Sequence, residues 1–159
     1  MRPYERDPAE IYRQSFATVR AEANLDRFDT GMQSLAVRLI HACGMVEVAD
    51  RIAYSQGAYL AGHRALKAGA PVLCDCEMVG AGIIRRYLPS DNQVIVTLND
   101  PRTPDHAKAI GNTRSAAAVE LWEPHLEGAV VAVGNAPTAL FHLLEMIDAG
   151  APKPAVLLG

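Results

Sequence analysis

The stretch GAPVLCDCEMVGAGIIRRY, residues 69–87, contains the pattern that decides the fold. A Gly-Ala-Pro breaker precedes the apolar run Val72 to Cys74, and a stretch of helical character follows from Glu77 to Tyr87. Three more short apolar runs follow breakers further along the chain, at Val94 to Leu98, Ala129 to Val133 and Ala155 to Leu158. Because these runs are continuous rather than alternating, they indicate parallel strands buried on both faces.

Helical segments separate the predicted strands. They cover Thr113 to Trp122 and Pro137 to Ala149, the second with Pro at its start and Gly150 just past its end. Strands that alternate with helices predict a doubly wound α/β sheet with right-handed crossovers. A ligand site is then expected at the C-terminal ends of the strands.

Helices are also predicted before the sheet. Asp7, Pro8 and Glu10 form a capping-box pattern, which predicts a helix over 7–25. Apolar spacing predicts further helices over 30–43, closed by Gly44, and over 55–68. We therefore predict a single α/β domain over residues 1–159, with N-terminal helices in 7–68 and a sheet-forming region in 70–159.

Composition excludes several classes of partner. The 159 residues are half hydrophobic, and the net charge of −3 comes from interspersed charges, so we expect neither nucleic acid nor a membrane as partner. The start, MRPYERDPAEIYRQ, lacks the apolar region of a signal peptide, which predicts a cytoplasmic protein. The cysteine and histidine spacings fit reduced thiols and no metal site; the cysteines are Cys43, Cys74 and Cys76.

Polar segments leave the predicted strands at Asp75 to Met78, Asn99 to Thr103 and Gly134 to Thr138. The second, NDPRTP, is compatible with a rigid loop. The third places backbone N–H groups and a hydroxyl at a helix N-terminus, which suits a carboxylate or a phosphate. Asn135 is equally suited to be a plain N-cap before Pro137.

Asn112 and Arg114 form a similar pattern before the next helix. An Arg in a first helical turn is unfavourable to the helix dipole, so another partner is expected. That partner is either the carboxylate of a ligand, which suits the guanidinium fork, or a nearby Asp or Glu.

Two residues of the N-terminal helices have polar side chains that need an explanation. His41 lies opposite the stripe of Met32, Leu35, Leu39 and Ile40, in a last helical turn that favours imidazolium. It is either a general acid or a favourable end charge. Ser15 lies on the apolar face between Ile11 and Val19, so its hydroxyl needs the carbonyl of Ile11 or a ligand atom.

Six blocks in chain order resemble the precorrin-8X methylmutase family. They are EIYRQSFATVRAE (10–22), VRLIHACGMVE (37–47), GAPVLCDCEMV (69–79), LNDPRTP (98–104), IGNTRSAAA (110–118) and VGNAPTALF (133–141). The resemblance implies a flavodoxin-like fold, a homodimer and no cofactor. It also implies that a methyl group moves from C11 to C12 as precorrin-8X becomes hydrogenobyrinic acid.

The resemblance assigns the acid to His41 and carries over Ser15 and Arg114 through their matching blocks. Physical argument adds four further contacts to the polycarboxylated substrate, namely Tyr12, Asn112, Asn135 and Thr138. Ser15 and Tyr12 are expected nearest the ring.

Two departures from the family pattern matter. Ile84 stands where relatives often have a hydroxyl, and relatives continue for about fifty residues beyond Gly159, so we expect the last edge strand of the sheet to be missing. Two other functions are therefore considered. One is a corrin-binding module without turnover, and the other is an unrelated flavodoxin-like protein that binds a phosphate at 134–138.

Overall fold

The computed structural model describes residues 4–159 and divides the chain into two compact units, one ending at Leu60 and one running from Ala61 to Gly159. The prediction of a single domain stays a prediction. Among residues 4–159, no helix combines the length and the apolar character that crossing a membrane requires.

The first unit contains helices α1 (Pro8–Glu22), α2 (Thr30–Cys43) and α3 (Val48–Arg51). Asp7 caps α1 by accepting a hydrogen bond from the N–H of Ala9, and Asp29 caps α2 through the N–H of Met32. The helix α2 ends at Gly44, whose φ of 72° is the left-handed conformation that glycine adopts without strain. The sequence predicted α1 and α2 but not α3.

The buried face of α2 differs from the predicted stripe. Val37 is buried and Leu39 is 42% exposed, because α1 packs against the side of α2 that carries Met32, Ala36, Val37 and Ile40. His41 is one turn beyond Val37, so it lies at the border of this core rather than opposite it. The prediction that Leu39 belongs to the core stripe is wrong.

The helix α4 (Ala58–Lys67) contains the boundary between the units, and the rest of the second unit is an α/β sheet. Its strands are β1 (Val72–Cys74), β2 (Val94–Val96), β3 (Val130–Ala132) and β4 (Val156–Leu158). Its remaining helices are α5 (Glu77–Gly82), α6 (Thr103–Ile110), α7 (Arg114–Glu120), α8 (Glu123–Leu126) and α9 (Pro137–Asp148), with a 3₁₀ turn at Arg85–Tyr87.

The four strands are parallel and lie in the order β2-β1-β3-β4. Leu73 is paired with Ile95 on one side and Val131 on the other, and Val131 is paired with Leu157. This is the order of the first four strands of a flavodoxin-like sheet, so the predicted fold class is confirmed. Among the described residues β4 pairs only with β3, so it forms an edge.

Helices cover both faces of the sheet, which gives the predicted three layers. Leu73 and Val131 pack with Trp122, Leu126 and Leu143 from the side of α7, α8 and α9. Neighbouring strand residues on the opposite face pack against α4 and α5; they are Val72, Cys74 and Val130. Burial of each large apolar side chain contributes about 1.5–3 kcal/mol, which explains why continuous apolar runs form this sheet.

Three features of the second unit differ from the predicted elements. The stretch 77–87 is not one helix, because α5 ends at Gly82 and the chain is extended at Ile83. The polar NDPRTP stretch is only partly a loop, since α6 begins at Thr103 with Pro104 in its first turn. The short helix α8 was not predicted.

Candidate functional site

The first group of predicted site residues surrounds His41, in the last turn of α2. Its Nδ1 lies 2.7 Å from Oγ of Ser15, which is on α1, and both side chains are partly buried. The carbonyl of Ile11, one of the two predicted partners of Ser15, is not its partner in the structure. A contact between Ser15 and a ligand atom stays a prediction. The Ser15 hydroxyl holds the imidazole of His41, a contact that sequence reasoning did not anticipate.

Aromatic rings complete the surroundings of His41. The ring of Tyr12 lies 4.9 Å from the imidazole at a tilt of 36°, and the ring of Phe16 meets it edge-on at 5.2 Å. The guanidinium of Arg38 lies 5.6 Å from the Phe16 ring. With hydrogen bonding at Nδ1 and rings around it, His41 is held in one orientation, which a general acid requires.

A cleft of about 260 Å³ borders His41 on the side of α1 and the chain after α2. It is lined by Ser15, Thr18, Val19, Glu22, Ile40, His41, Gly44 and Val46. Tyr12, 52% exposed, is not in that lining but stacks on the imidazole. The cleft is smaller than typical cavities that enclose whole ligands, which are about 300–1,000 Å³.

The second group of predicted residues lies in the second unit, at the C-terminal ends of the strands. Nη2 of Arg114 donates to the carbonyl of Leu98 and to Oδ1 of Asn99, each at 3.0 Å. No carboxylate of residues 61–159 forms an ion pair with Arg114, so the predicted Asp or Glu partner was wrong. Its positive charge therefore has no anionic partner within this unit, and its Nε and Nη1 form no hydrogen bond there.

The N-termini of α7 and α9 meet through two threonines. Thr113 caps α7 by accepting from the N–H of Ala116, and its hydroxyl donates to Oγ1 of Thr138 at 3.0 Å. Oδ1 of Asn112 accepts from the N–H of Thr113 at 2.7 Å, which leaves its amide NH₂ for other partners. Asn112, Arg114 and Thr138 are therefore close together and exposed. Their role as a binding surface stays a prediction.

The backbone donors of residues 134–136 are already occupied. Asp75, which follows β1, accepts hydrogen bonds from the N–H groups of Gly134 at 3.1 Å, Asn135 at 3.0 Å and Ala136 at 2.8 Å. The prediction of free N–H groups for a ligand carboxylate or phosphate was wrong, because the protein supplies its own anion. The phosphate-binding alternative loses its donors.

Asn135 is not the N-cap of α9. Ala136 occupies that position, and no side chain caps the helix. The Asn135 side chain is exposed, so it stays a candidate for binding rather than a structural cap.

An ion pair stiffens the turn beside Arg114. Arg102 donates from its backbone N–H and Nε to Oδ1 of Asp100, and from Nη2 to Oδ2. These hydrogen bonds lower the pKa of Asp100 to about 2. The carboxylate is therefore ionised at any physiological pH, and its partner is Arg102 rather than Arg114.

Sequence reasoning missed a cluster formed by α6, α7 and α9. Glu120 accepts from Nε2 of His106 at 2.5 Å and from Nε2 of His142 at 2.8 Å, and Nδ1 of His142 lies 3.7 Å from Glu145. Burial raises the pKa of Glu120, but the hydrogen bonds and charge interactions with His142 and His106 together lower it below its ordinary value. These residues come from three helices, so no spacing within one segment reveals them.

The three cysteines differ in exposure, and Cys43 is the exposed one. All three cysteines are free, and Cys74 and Cys76 are buried beside Asp75. Burial raises the pKa of the Cys74 thiol to about 11, so this thiol is protonated and unreactive. Among residues 4–159 no group of three His, Cys, Asp or Glu side chains is placed to hold a metal ion.

Comparison with known proteins identifies relatives of the whole described chain. The family model "CbiC: Precorrin-8X methylmutase" matches residues 10–159. A precorrin-8X methylmutase of Pseudomonas aeruginosa is 60% identical over 98% of this chain and 75% of its own length, and one of Sinorhizobium sp is 58% identical over 98% and 74%. The solved structure "Crystal Analysis of Precorrin-8x Methyl Mutase from Thermus Thermophilus" has a TM-score of 0.82 and 37% identity, over 94% of this chain and 72% of that one.

Proposed function

Because the chain belongs to the precorrin-8X methylmutase family, we propose that it is an isomerase that moves one methyl group from C11 to C12 of precorrin-8X. The product is hydrogenobyrinic acid, an intermediate of cobalamin biosynthesis. The step is formally a 1,5-sigmatropic shift in which no atom is gained or lost. The step therefore requires an acid and a rigidly bound macrocycle, and it requires no cofactor.

His41 is the acid of this proposal, and its contact with Ser15 is the observation that carries it. An imidazolium donates from both nitrogens, so Nδ1–H donates to Ser15 Oγ while Nε2–H is presented to the substrate. No other group within residues 4–60 hydrogen-bonds to the ring. The contact at Nδ1 thereby selects Nε2 as the nitrogen that exchanges the proton.

The proposed step consumes no proton, because the proton that His41 donates returns to it. Nε2 of His41 gives a proton to a conjugated ring nitrogen, and the resulting cation weakens the bond between C11 and the methyl group. The methyl group then bonds to C12, and the ring nitrogen returns its proton to Nε2. A positioned acid of this kind contributes about 10²–10⁴-fold, and orientation supplies the rest.

The acetate and propionate arms of the substrate need cationic and N–H donors. Arg114 supports this role because its charge has no anionic partner within its unit and its fork matches a carboxylate. Asn112, Asn135 and Thr138 are proposed as further donors, since all three are exposed at the same ends of the strands. Tyr12 is proposed to contact the macrocycle, because its exposed ring is held against His41.

The metal-free substrate is proposed over the cobalt form. The relatives at 60% and 58% identity are named for precorrin-8X, whereas a relative of Priestia megaterium named for cobalt-precorrin-8 is 26% identical over 99% of this chain and 71% of its own length. Parallel assays with precorrin-8X and cobalt-precorrin-8 test this choice. Faster conversion of the cobalt form would overturn it.

A homodimer in the cytoplasm is proposed for the working enzyme, as the family resemblance implies. Light scattering of the purified protein, with and without product, measures the oligomeric state. A monomer that turns over at the normal rate would overturn the dimer.

The activity is tested by incubating purified protein with precorrin-8X, without added metal or nucleotide, and following the absorbance of the product. The expected result is complete conversion at catalytic protein concentration. If the protein binds hydrogenobyrinic acid but converts nothing, the methyl transfer is wrong and a corrin-binding module is the better account.

A further inference from the structure

Asp75 is a buried carboxylate that the methyl transfer described above does not use. It is 2% exposed and follows β1 directly. Its two oxygens accept hydrogen bonds from three consecutive backbone N–H groups, those of Gly134, Asn135 and Ala136. Burial of a charge is costly unless it is hydrogen-bonded, so this arrangement requires that all three donors stay in place.

The three donors lie immediately before α9, a helix of 12 residues that begins at Pro137. The first N–H groups of a helix lack partners within the helix, and the helix dipole favours a negative charge there. Asp75 binds the N–H groups of the turn and of the N-cap residue Ala136 rather than those of the helix itself, so its negative charge lies near the N-terminus of α9. These hydrogen bonds hold the loop between β3 and α9 at the C-terminal end of β1.

The same loop also passes close to α5, at Gly134. A Cβ atom placed on Gly134 would lie 2.8 Å from Cγ2 of Val79, on α5. The loop therefore passes close to α5, and only glycine fits there without displacement. Its position is determined by Asp75 and by α5 together.

The loop at 134–138 contributes residues to the proposed binding surface. It contains Asn135 and leads into Thr138, which accepts from the hydroxyl of Thr113. Thr113 caps α7, and Arg114 is the first residue of that helix. A single chain of contacts thus runs from Asp75 to the groups that are proposed to hold the carboxylate arms.

We propose that Asp75 is a positioning residue for substrate binding, which acts through the loop at 134–138 and makes no contact with substrate itself. This inference rests on the proposed function for the identity of the ligand. Since His41 does not depend on this loop in the proposal, loss of Asp75 affects binding of the substrate more than the chemical step.

The main test is Asp75→Asn, which keeps the shape of the side chain but removes the charge and replaces one acceptor oxygen with a donor. Titration with hydrogenobyrinic acid gives Kd, and turnover of precorrin-8X gives KM and kcat. The expected result is a rise of about ten- to hundredfold in Kd and KM, with kcat changed less than about threefold. Asp148→Asn is the matched control, because it removes the same charge from the other, exposed end of α9.

Two further variants separate positioning from a general loss of structure. Gly134→Ala keeps Asp75 but pushes the loop against Val79, and it should raise Kd in the same way. Thr138→Ala combined with Asp75→Asn should weaken binding by less than the product of the two single effects, because both act through one loop. Gly134→Ala decides the question even if Asp75→Asn does not fold, because it leaves Asp75 in place.

Three outcomes overturn the inference, namely an unchanged Kd in Asp75→Asn and Gly134→Ala, multiplicative effects in the double variant, or a fall in kcat at constant Kd. Failure of the methyl transfer is distinguishable from these. A wild-type chain that binds the product without converting precorrin-8X would refute the proposed function, while the Kd of the variants would still decide the role of Asp75.

Discussion

Two histidine environments in this chain differ in what holds the imidazole. His41 contacts a neutral hydroxyl, that of Ser15, and lies beside a cleft and an exposed Tyr12 ring. His106 and His142 both donate to one carboxylate, that of Glu120, among packed helices. A carboxylate partner fixes charge and stabilises the fold, whereas a neutral partner orients the ring and leaves its second nitrogen for chemistry.

The largest expected effect is that of His41→Ala on turnover. Removal of the acid should lower kcat about 10²–10⁴-fold, while folding and product binding stay largely intact, because His41 is only partly buried. Single-turnover absorbance with precorrin-8X and titration with hydrogenobyrinic acid measure the two properties. His125→Ala removes an exposed histidine and serves as control. Near-normal kcat in a folded His41→Ala protein would remove His41 from the mechanism.

A smaller effect is expected from Arg114→Ala, on binding rather than on the chemical step. Loss of a hydrogen bond to a charged group should weaken binding of hydrogenobyrinic acid by about 1.5–3 kcal/mol. Arg114→Lys should recover only part of the affinity, because the guanidinium fork is lost. Arg86→Ala, at an exposed arginine on the 3₁₀ turn, is the control. Wild-type affinity in both Arg114 variants would contradict the proposed role.

Ser15→Ala tests whether orientation of the imidazole matters. The loss of one net hydrogen bond, about 0.5–1.5 kcal/mol, should lower kcat roughly two- to tenfold with little change in KM. Ser34→Ala removes a hydroxyl of α2 that bonds only the carbonyl of Thr30, so kcat should not change. If KM rises instead and kcat is unchanged, Ser15 binds substrate and does not orient His41.

The smallest effect is expected from Glu120→Gln, and it falls on stability alone. Because the folded pKa of Glu120 is lowered, its stabilisation is fully present above the ordinary value of 4.5 and is lost as the pH falls through the folded value. The variant should therefore lose about 1 kcal/mol of unfolding free energy at pH 7 and progressively less below pH 4.5. The free energy of unfolding is measured by urea titration at pH 7 and below pH 4.5. Glu127→Gln, at an exposed residue, is the control. A difference that grows with acidity would refute this account of Glu120.

Much of the fold was predictable because its signals are local. Continuous apolar runs such as Val72 to Cys74 are explained by burial on both faces, and Asp7 and Gly44 mark helix ends by their own conformations. The helix α6 was missed because Asn99 to Pro104 is rich in turn residues, while its start depends on a hydrogen bond from Thr103 to the carbonyl of Thr97. That contact exists only once β2 and α6 are packed.

The candidate site was predictable only in part, because its contacts join distant residues. The resemblance pointed to His41 and Ser15, but their hydrogen bond spans 26 residues and no periodicity indicates it. Asp75 was recognised only as part of a strand end, since its three donors lie 59 to 61 residues further along the chain. The prediction of free N–H groups at the start of α9 was wrong for the same reason, because their acceptor, Asp75, is distant in the sequence.

The most direct test of the central claim is a ¹⁵N spectrum of the imidazole nitrogens, recorded with and without hydrogenobyrinic acid. If His41 presents Nε2 to the corrin while Ser15 holds Nδ1, product binding should shift the Nε2 resonance of His41 and leave those of His106 and His142 unchanged. Replacement of each histidine in turn assigns the signals. An unmoved Nε2 resonance of His41 in a protein saturated with product would contradict the claim.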